Sequence, residues 1–206
     1  MNINADFENL VKILVIGDFN VGKTNFILQF AEEQFIENAM STVGFDLKSK
    51  IIKVASENIK IQVWDTAGQE RYQSISKGLF QKVQGIIIVY DITNYSSFEN
   101  ISNWLNSINE KCGTMKILIV GNKKDKEEER EVTTEEAKEF TNSRGVLFME
   151  VSAKTGKNIK EAFTLLVKNI IQGGQSFNEG MSLNDSKMSY IEEEKGHCCY
   201  IIYFCI

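Results

Sequence analysis

Gly17-Asp18-Phe19-Asn20-Val21-Gly22-Lys23-Thr24, directly after the apolar run Ile13-Leu14-Val15-Ile16, decides how the rest of the chain is read. It fits G-x-x-x-x-G-K-[ST] in the strand–loop–helix setting in which such a loop cradles phosphate groups. A helix opening near Gly22 points its free backbone N–H groups, and the positive end of its dipole, at the anion. Lys23 is placed to bridge the β- and γ-phosphates, and the Thr24 hydroxyl to ligate Mg²⁺. Asn20, Val21, Gly22 and Asn25 are the further expected contacts. An ordinary glycine turn is the alternative, and Lys-Thr at the required offset argues against it.

Three more stretches follow in order: Asp65-Thr66-Ala67-Gly68-Gln69, Asn122-Lys123-Lys124-Asp125 and Ser152-Ala153-Lys154. The first is expected to sense the terminal phosphate; the other two read the base. An Asp125 carboxylate can accept two hydrogen bonds from guanine, at its ring N–H and exocyclic amine. Adenine lacks that amine, so the wrong base is penalised by an unpaired acceptor. Asn122 would tie this loop to the phosphate loop, and the stem of Lys123 would cover the base plane. Alone, Asn-Lys-Lys-Asp reads equally well as a solvated polar turn. Four motifs in this order within one domain's length point to a guanine-nucleotide switch.

Apolar runs alternate with helical patterns around these motifs. Strands are expected at Leu10–Ile16, Ile59–Trp64, Gly85–Tyr90, Lys116–Val120 and Val146–Val151, β-branched and nearly continuous, as parallel strands buried on both faces are. Asp46–Val54 alternates more and reads as an antiparallel edge strand, joined to Ile59–Trp64 through a Ser56-Glu57-Asn58 turn. Ser96-Ser97-Phe98-Glu99 and Thr133-Thr134-Glu135-Glu136 read as capping boxes. Ile159, Ala162, Phe163, Leu166 and Ile170 have the spacing of a helix with one buried face. The expected fold is α/β: a six-stranded, mostly parallel sheet with one antiparallel edge strand and helices on both faces, the ligand lying at the carboxyl ends of the strands. Residues 1–172 would form this domain and 173–206 a flexible tail.

Composition allows one domain with a full core: 206 residues, 43% hydrophobic, with a formal charge of −5. There is no basic excess to attract nucleic acid. No charged-then-apolar leader is seen, and Cys198–Ile206 is about half the ~20 residues of a spanning helix. Cys112 stands apart from Cys198, Cys199 and Cys205, a spacing that suits neither a disulfide framework nor a zinc site. A reduced, cytosolic protein is the simplest reading.

With these motifs in place the chain resembles a small GTPase of the Ras superfamily, and more narrowly the Rab family, over roughly Leu10 to Gln172. Thr42-Val43-Gly44-Phe45-Asp46, Lys60-Ile61-Gln62-Val63-Trp64, Glu70-Arg71-Tyr72 and Ile88-Val89-Tyr90-Asp91-Ile92-Thr93 carry the resemblance. It implies that Phe35 sets an aromatic edge against guanine, and that Thr42 meets Mg²⁺ through its hydroxyl and the γ-phosphate through its N–H. It further implies that Asp65 holds the Mg²⁺ shell through water, that the Gly68 N–H meets the γ-phosphate, and that Gln69 orients the attacking water. The segments around Thr42 and Gly68 would be ordered by GTP and released on hydrolysis. The implied partners are an exchange factor, a GTPase-activating protein, a GDP-dissociation inhibitor and effectors. The implied location is the cytoplasmic face of intracellular membranes, cycling with the cytosol.

Three features depart from the Rab pattern. Phe19 stands where Rabs usually carry a small residue, and Leu47 and Leu79 replace two aromatics of the effector triad while Trp64 is kept. The tail reads Gly196-His197-Cys198-Cys199 and then continues with seven residues, so no C-a-a-X ending is present. Either those residues block prenylation, or the mature chain ends near Cys199; the expectation is lipidation at Cys198 and Cys199. The region 173–197 holds five acidic residues against Lys187 and Lys195, so two lipid chains would be needed for stable anchoring.

Three functions compete at this point. The leading one is a GTP-hydrolysing switch in vesicle traffic. The second is a slowly hydrolysing, GTP-locked interaction platform, kept open by Phe19. The third, a P-loop nucleotide kinase, leaves Asn122–Asp125 and Ser152–Lys154 unexplained.

Overall fold

Alternation within each apolar run decides which layer a side chain joins. On the first strand Val11, Ile13 and Val15 enter one core, while Leu14 and Ile16 enter another on the opposite face. The same period of two sends Ile87 and Val89 one way and Ile86, Ile88 and Tyr90 the other. A strand apolar on both faces must be covered on both, which is why helices pack above and below the sheet.

The structure is a computed structural model that describes residues 9–37, 45–66, 77–80, 82–112 and 115–173. Its strands are β1 (Asn9–Ile16), β2 (Phe45–Val54), β3 (Glu57–Thr66), β4 (Gly85–Asp91), β5 (Lys116–Asn122) and β6 (Leu147–Glu150), in the sheet order β2-β3-β1-β4-β5-β6. All neighbours run parallel except β2 and β3. Around them lie α1 (Lys23–Glu32), α2 (Lys77–Phe80), α3 (Tyr95–Glu99), α4 (Ile101–Cys112), α5 (Thr134–Arg144) and α6 (Ile159–Gln172). The expected six-stranded α/β architecture is therefore present, with β2 as its antiparallel edge.

β1 is where the strand order reverses: the chain goes from it to β2 and β3 on one side and then crosses to β4, β5 and β6 on the other. A crevice opens at such a reversal, beyond the carboxyl ends of the strands, and ligands bind there. The loop that leaves β1 occupies that place. Behind it α1 and α6 lock through aromatic stacking: Phe163 lies 5.0 Å from Phe26 and 3.7 Å from Phe30, centroid to centroid. Ile159, Ala162, Phe163, Leu166 and Ile170 are all buried, as their spacing predicts.

Two local expectations are corrected. Glu57 and Asn58 pair with Val54 and Lys53, so the hairpin turn is Ala55-Ser56 rather than Ser56-Glu57-Asn58. Ala55 adopts φ +55°, the left-handed conformation that two-residue hairpins require. The cap of α3 is Asn94, whose side chain accepts from the Ser97 N–H, and not Ser96. The Ser97 hydroxyl instead bonds the backbone of Asp91 and Asn94. Thr133 does cap α5, accepting from the Glu136 N–H at 3.1 Å. Among the described residues no helix is long and apolar enough to cross a membrane.

Candidate nucleotide-binding site

The loop after β1 is shaped by two glycines with no substitute. A Cβ on Gly17 (φ +141°) would lie 2.1 Å from the Val89 carbonyl oxygen, and one on Gly22 (φ +90°) 2.6 Å from Asn122 Nδ2. Between them Asn20 takes φ +63°, a left-handed position that a short amide side chain tolerates better than most. Lys23 is buried and turns back under the loop, donating to the carbonyls of Gly17 at 2.8 Å and Asp18 at 2.7 Å. Gly22 caps α1 with no side-chain bond, so the first N–H groups of a ten-residue helix face the concavity.

Thr24 lies in the first turn of α1 and Asp65 is the penultimate residue of β3, and the two meet: the Thr24 hydroxyl donates to Asp65 Oδ2 at 2.8 Å. Asp65 is buried at the carboxyl end of its strand. The Asn25 side chain pairs with the backbone of Ile36 in both directions, at 2.9 and 3.0 Å. That holds the segment after α1, where Phe35 is exposed.

Asn122 joins three stretches that lie far apart in sequence. Fully buried at the end of β5, it donates through Nδ2 to the Val21 carbonyl at 2.9 Å and accepts at Oδ1 from the Ala153 N–H at 3.1 Å. The phosphate loop, Asn122–Asp125 and Ser152–Lys154 thus form one wall. Asp125 is exposed on that wall, its Oδ1 accepting from the Ser152 hydroxyl. Lys123 adopts φ +66°, and its ammonium meets Asp91 at 2.6 Å. Lys154 is exposed at the same end. Thr42, Gly68, Gln69, Cys198 and Cys199 lie outside the described residues.

A model of the Ras family matches residues 12–172. Rab-13 of Mesocricetus auratus is 44% identical over 166 residues, covering 80% of this chain and 82% of its own. Rab-15 of Homo sapiens is 40% identical over 195 residues, 92% of each chain.

The chain belongs to the Ras family, among its Rab small GTPases.

A GTP-binding protein of Zea mays, YPTM2, is 40% identical over 169 residues, 82% of this chain and 83% of its own. This Rab is therefore a GTPase, converting GTP and water to GDP and phosphate. Mg²⁺ takes oxygen donors, typically one or two protein groups beside substrate phosphates and retained waters. The Thr24 hydroxyl and Asp65 carboxylate, already within hydrogen-bond distance, fit that donor set. Among the described residues no group of three or more Asp, Glu, His or Cys gathers elsewhere to hold a metal.

Sequence reasoning missed the carboxylates that hold this GTPase's site from outside. Asp91 ends an otherwise apolar strand and anchors Lys123, its other oxygen accepting from the Thr93 N–H and hydroxyl. Glu150 ends β6 and receives Arg130 through two nitrogens, Lys124 at 2.8 Å and the Thr134 hydroxyl at 2.9 Å. Burial pulls the Glu150 carboxyl upward, but these donors outweigh it and hold it below the usual glutamate value. One signal was readable: an acid at the carboxyl end of a strand that is otherwise apolar.

Proposed function

We propose that this Rab GTPase regulates intracellular vesicle traffic as a two-state switch, its GTP form ordering the segments around Thr42 and Gly68 for effectors. The single observation behind it is the double bond pattern of Asn122, which brings a phosphate loop and two base-reading stretches into one wall. Asn20, Val21, Gly22, Lys23, Thr24 and Asn25 grip the phosphates. Asp125 reads guanine with Ser152, Ala153 and Lys154 behind it; Lys123 and Phe35 flank the base. Thr24, Thr42 and, through water, Asp65 would hold Mg²⁺, which when bound neutralises charge on the β- and γ-phosphates. Gln69 orients the attacking water, and the Gly68 N–H meets the γ-phosphate. An exchange factor, an activating protein, a GDP-dissociation inhibitor and effectors act on it as family partners. Residues 1–172 form the catalytic unit, and 173–206 a tail lipidated at Cys198 and Cys199 that brings it to the cytoplasmic face of intracellular membranes.

Equilibrium binding of GDP, GTP and ATP in Mg²⁺ tests the nucleotide reading. Tight binding of both guanine nucleotides with strong discrimination against ATP is expected; equal affinity for GTP and ATP would overturn the base assignment.

A second reading, a slowly hydrolysing GTP-locked platform, is favoured by one residue. Phe19 is 57% exposed within the phosphate loop, so its ring is not taken up by the core and stands beside the phosphate-binding concavity. Its path toward Gln69 lies outside the described residues.

A further inference from the structure

The phosphate loop is fastened to the helical layer by a side chain that nucleotide binding does not use. Both carboxylate oxygens of Asp18 are engaged: Oδ2 accepts from Asn100 Nδ2 at 2.6 Å and Oδ1 from Trp104 Nε1 at 2.9 Å. Asn100 is the residue between α3 and α4, and its own Oδ1 accepts from Asn103 Nδ2 at 3.3 Å. Trp104 is buried within the first turn of α4. The carbonyl of the same Asp18 accepts from Lys23, so one residue ties the lysine, the loop and α4 together.

The charge makes this arrangement informative. A carboxylate in a loop that receives phosphates has the ligand's own sign and would repel it if free to swing inward. Two directed N–H donors aim it at α4 instead, and hydrogen bonds to an ionised acceptor are stronger than neutral ones. The indole can make such a bond only through its one N–H, so the position of Trp104 sets the position of Asp18.

We propose that Asp18 is a positioning residue for nucleotide retention: clamped by Trp104 and Asn100, it holds the backbone from Gly17 to Lys23 in its phosphate-binding shape and keeps its own charge directed at α4. The inference rests on the phosphate-loop reading above. Release of a fluorescent GDP analogue, chased with excess GDP in Mg²⁺, tests it in the full chain. Asp18→Ala and Trp104→Phe should each speed release about tenfold, the loss of a hydrogen bond to a charged group. The double variant should release no faster than Asp18→Ala, because Trp104 acts through Asp18. Asn100→Ala supplies a second cycle of the same form if Trp104→Phe does not fold. A general loosening of the core would instead make the effects additive, which would overturn the proposal, as would wild-type release in Asp18→Ala. Failure of the wild type to bind the analogue would overturn the phosphate-loop reading itself, and this proposal with it.

Discussion

At the scale of single residues, specificity rests on groups whose alternatives are chemically distinct. Asp125 offers acceptors only, which matches guanine's two donors. Asp125→Asn presents an amide donor, so preference should move toward xanthine nucleotides, whose extra carbonyl complements it. Competition binding of xanthosine against guanosine diphosphate measures the shift; unchanged guanine preference would dismiss the assignment. Phe19 raises a separate question of rate. In the proposed site the binding contacts come from backbone N–H groups and Lys23, so a ring in the loop would be able to disturb the attacking water or exclude an inserted arginine without loosening nucleotide. Misplacement can cost on the order of a hundredfold, and loss of an arginine in trans ~10³-fold or more. Slow intrinsic hydrolysis with ordinary nucleotide affinity is therefore expected. Single-turnover hydrolysis should be measurably faster in Phe19→Ser, and an equal rate in the two proteins would sink the idea.

At the scale of elements, the 3₁₀ turn at Lys124–Glu129 carries Asp125, the aspartate proposed to read the base, and has no buried side chain of its own. Its stability comes from outside. Arg130 closes the turn by pairing with Glu127 at 2.7 Å, and the same guanidinium reaches the buried Glu150 on β6. Only a planar fork of five donors can serve two carboxylates and the Val132 carbonyl together. Arg130→Met should lower stability by about 3 kcal/mol, since removing one partner strands a buried charge, with Lys124 still beside it. Urea unfolding near pH 7 measures this, and a loss below ~1 kcal/mol would place the pair among ordinary surface bridges. The pH dependence has a definite sign. The Glu150 carboxyl is held below 4.5 in the folded state, so its contribution is complete above that value and lost as pH falls through the lower, folded one. Acid should therefore destabilise the wild type more than Arg130→Met in the same titration.

At the scale of the whole molecule, the catalytic domain and the tail answer to different physics. The domain is held by two cores separated by one sheet, with Phe163 joining α6 to α1 directly behind the phosphate loop. Residues 173–206 show no helical periodicity in sequence and few basic residues, so the membrane attachment proposed above would have to come from covalent lipid. Replacing Cys198 and Cys199 together by serine should leave the protein in the cytosolic fraction, whereas Cys205→Ser should matter less. Persistence of the double variant in the membrane fraction would assign anchoring to Cys205, the apolar end or a bound partner.

The sequence alone determined the class of ligand and most of the fold. Fixed spacing around Gly17, Gly22 and Lys23 after a buried strand suits a phosphate cradle better than an ordinary turn, and a period of two or 3.6 follows from backbone geometry without knowledge of neighbours. Those signals are local, and they were legible for the strands, for α6 and for the Thr133 cap. Tertiary structure decided the rest. The Ala55-Ser56 turn depends on register, which is set by which residues of β2 face β3. The choice of Asn94 over Ser96 depends on where β4 delivers the chain to α3. The clamps on Asp18, Lys123 and Glu150 join residues tens of positions apart, so no window of sequence contains both partners. A lone carboxylate shows its charge in the sequence; which donor meets it is settled only when the elements pack.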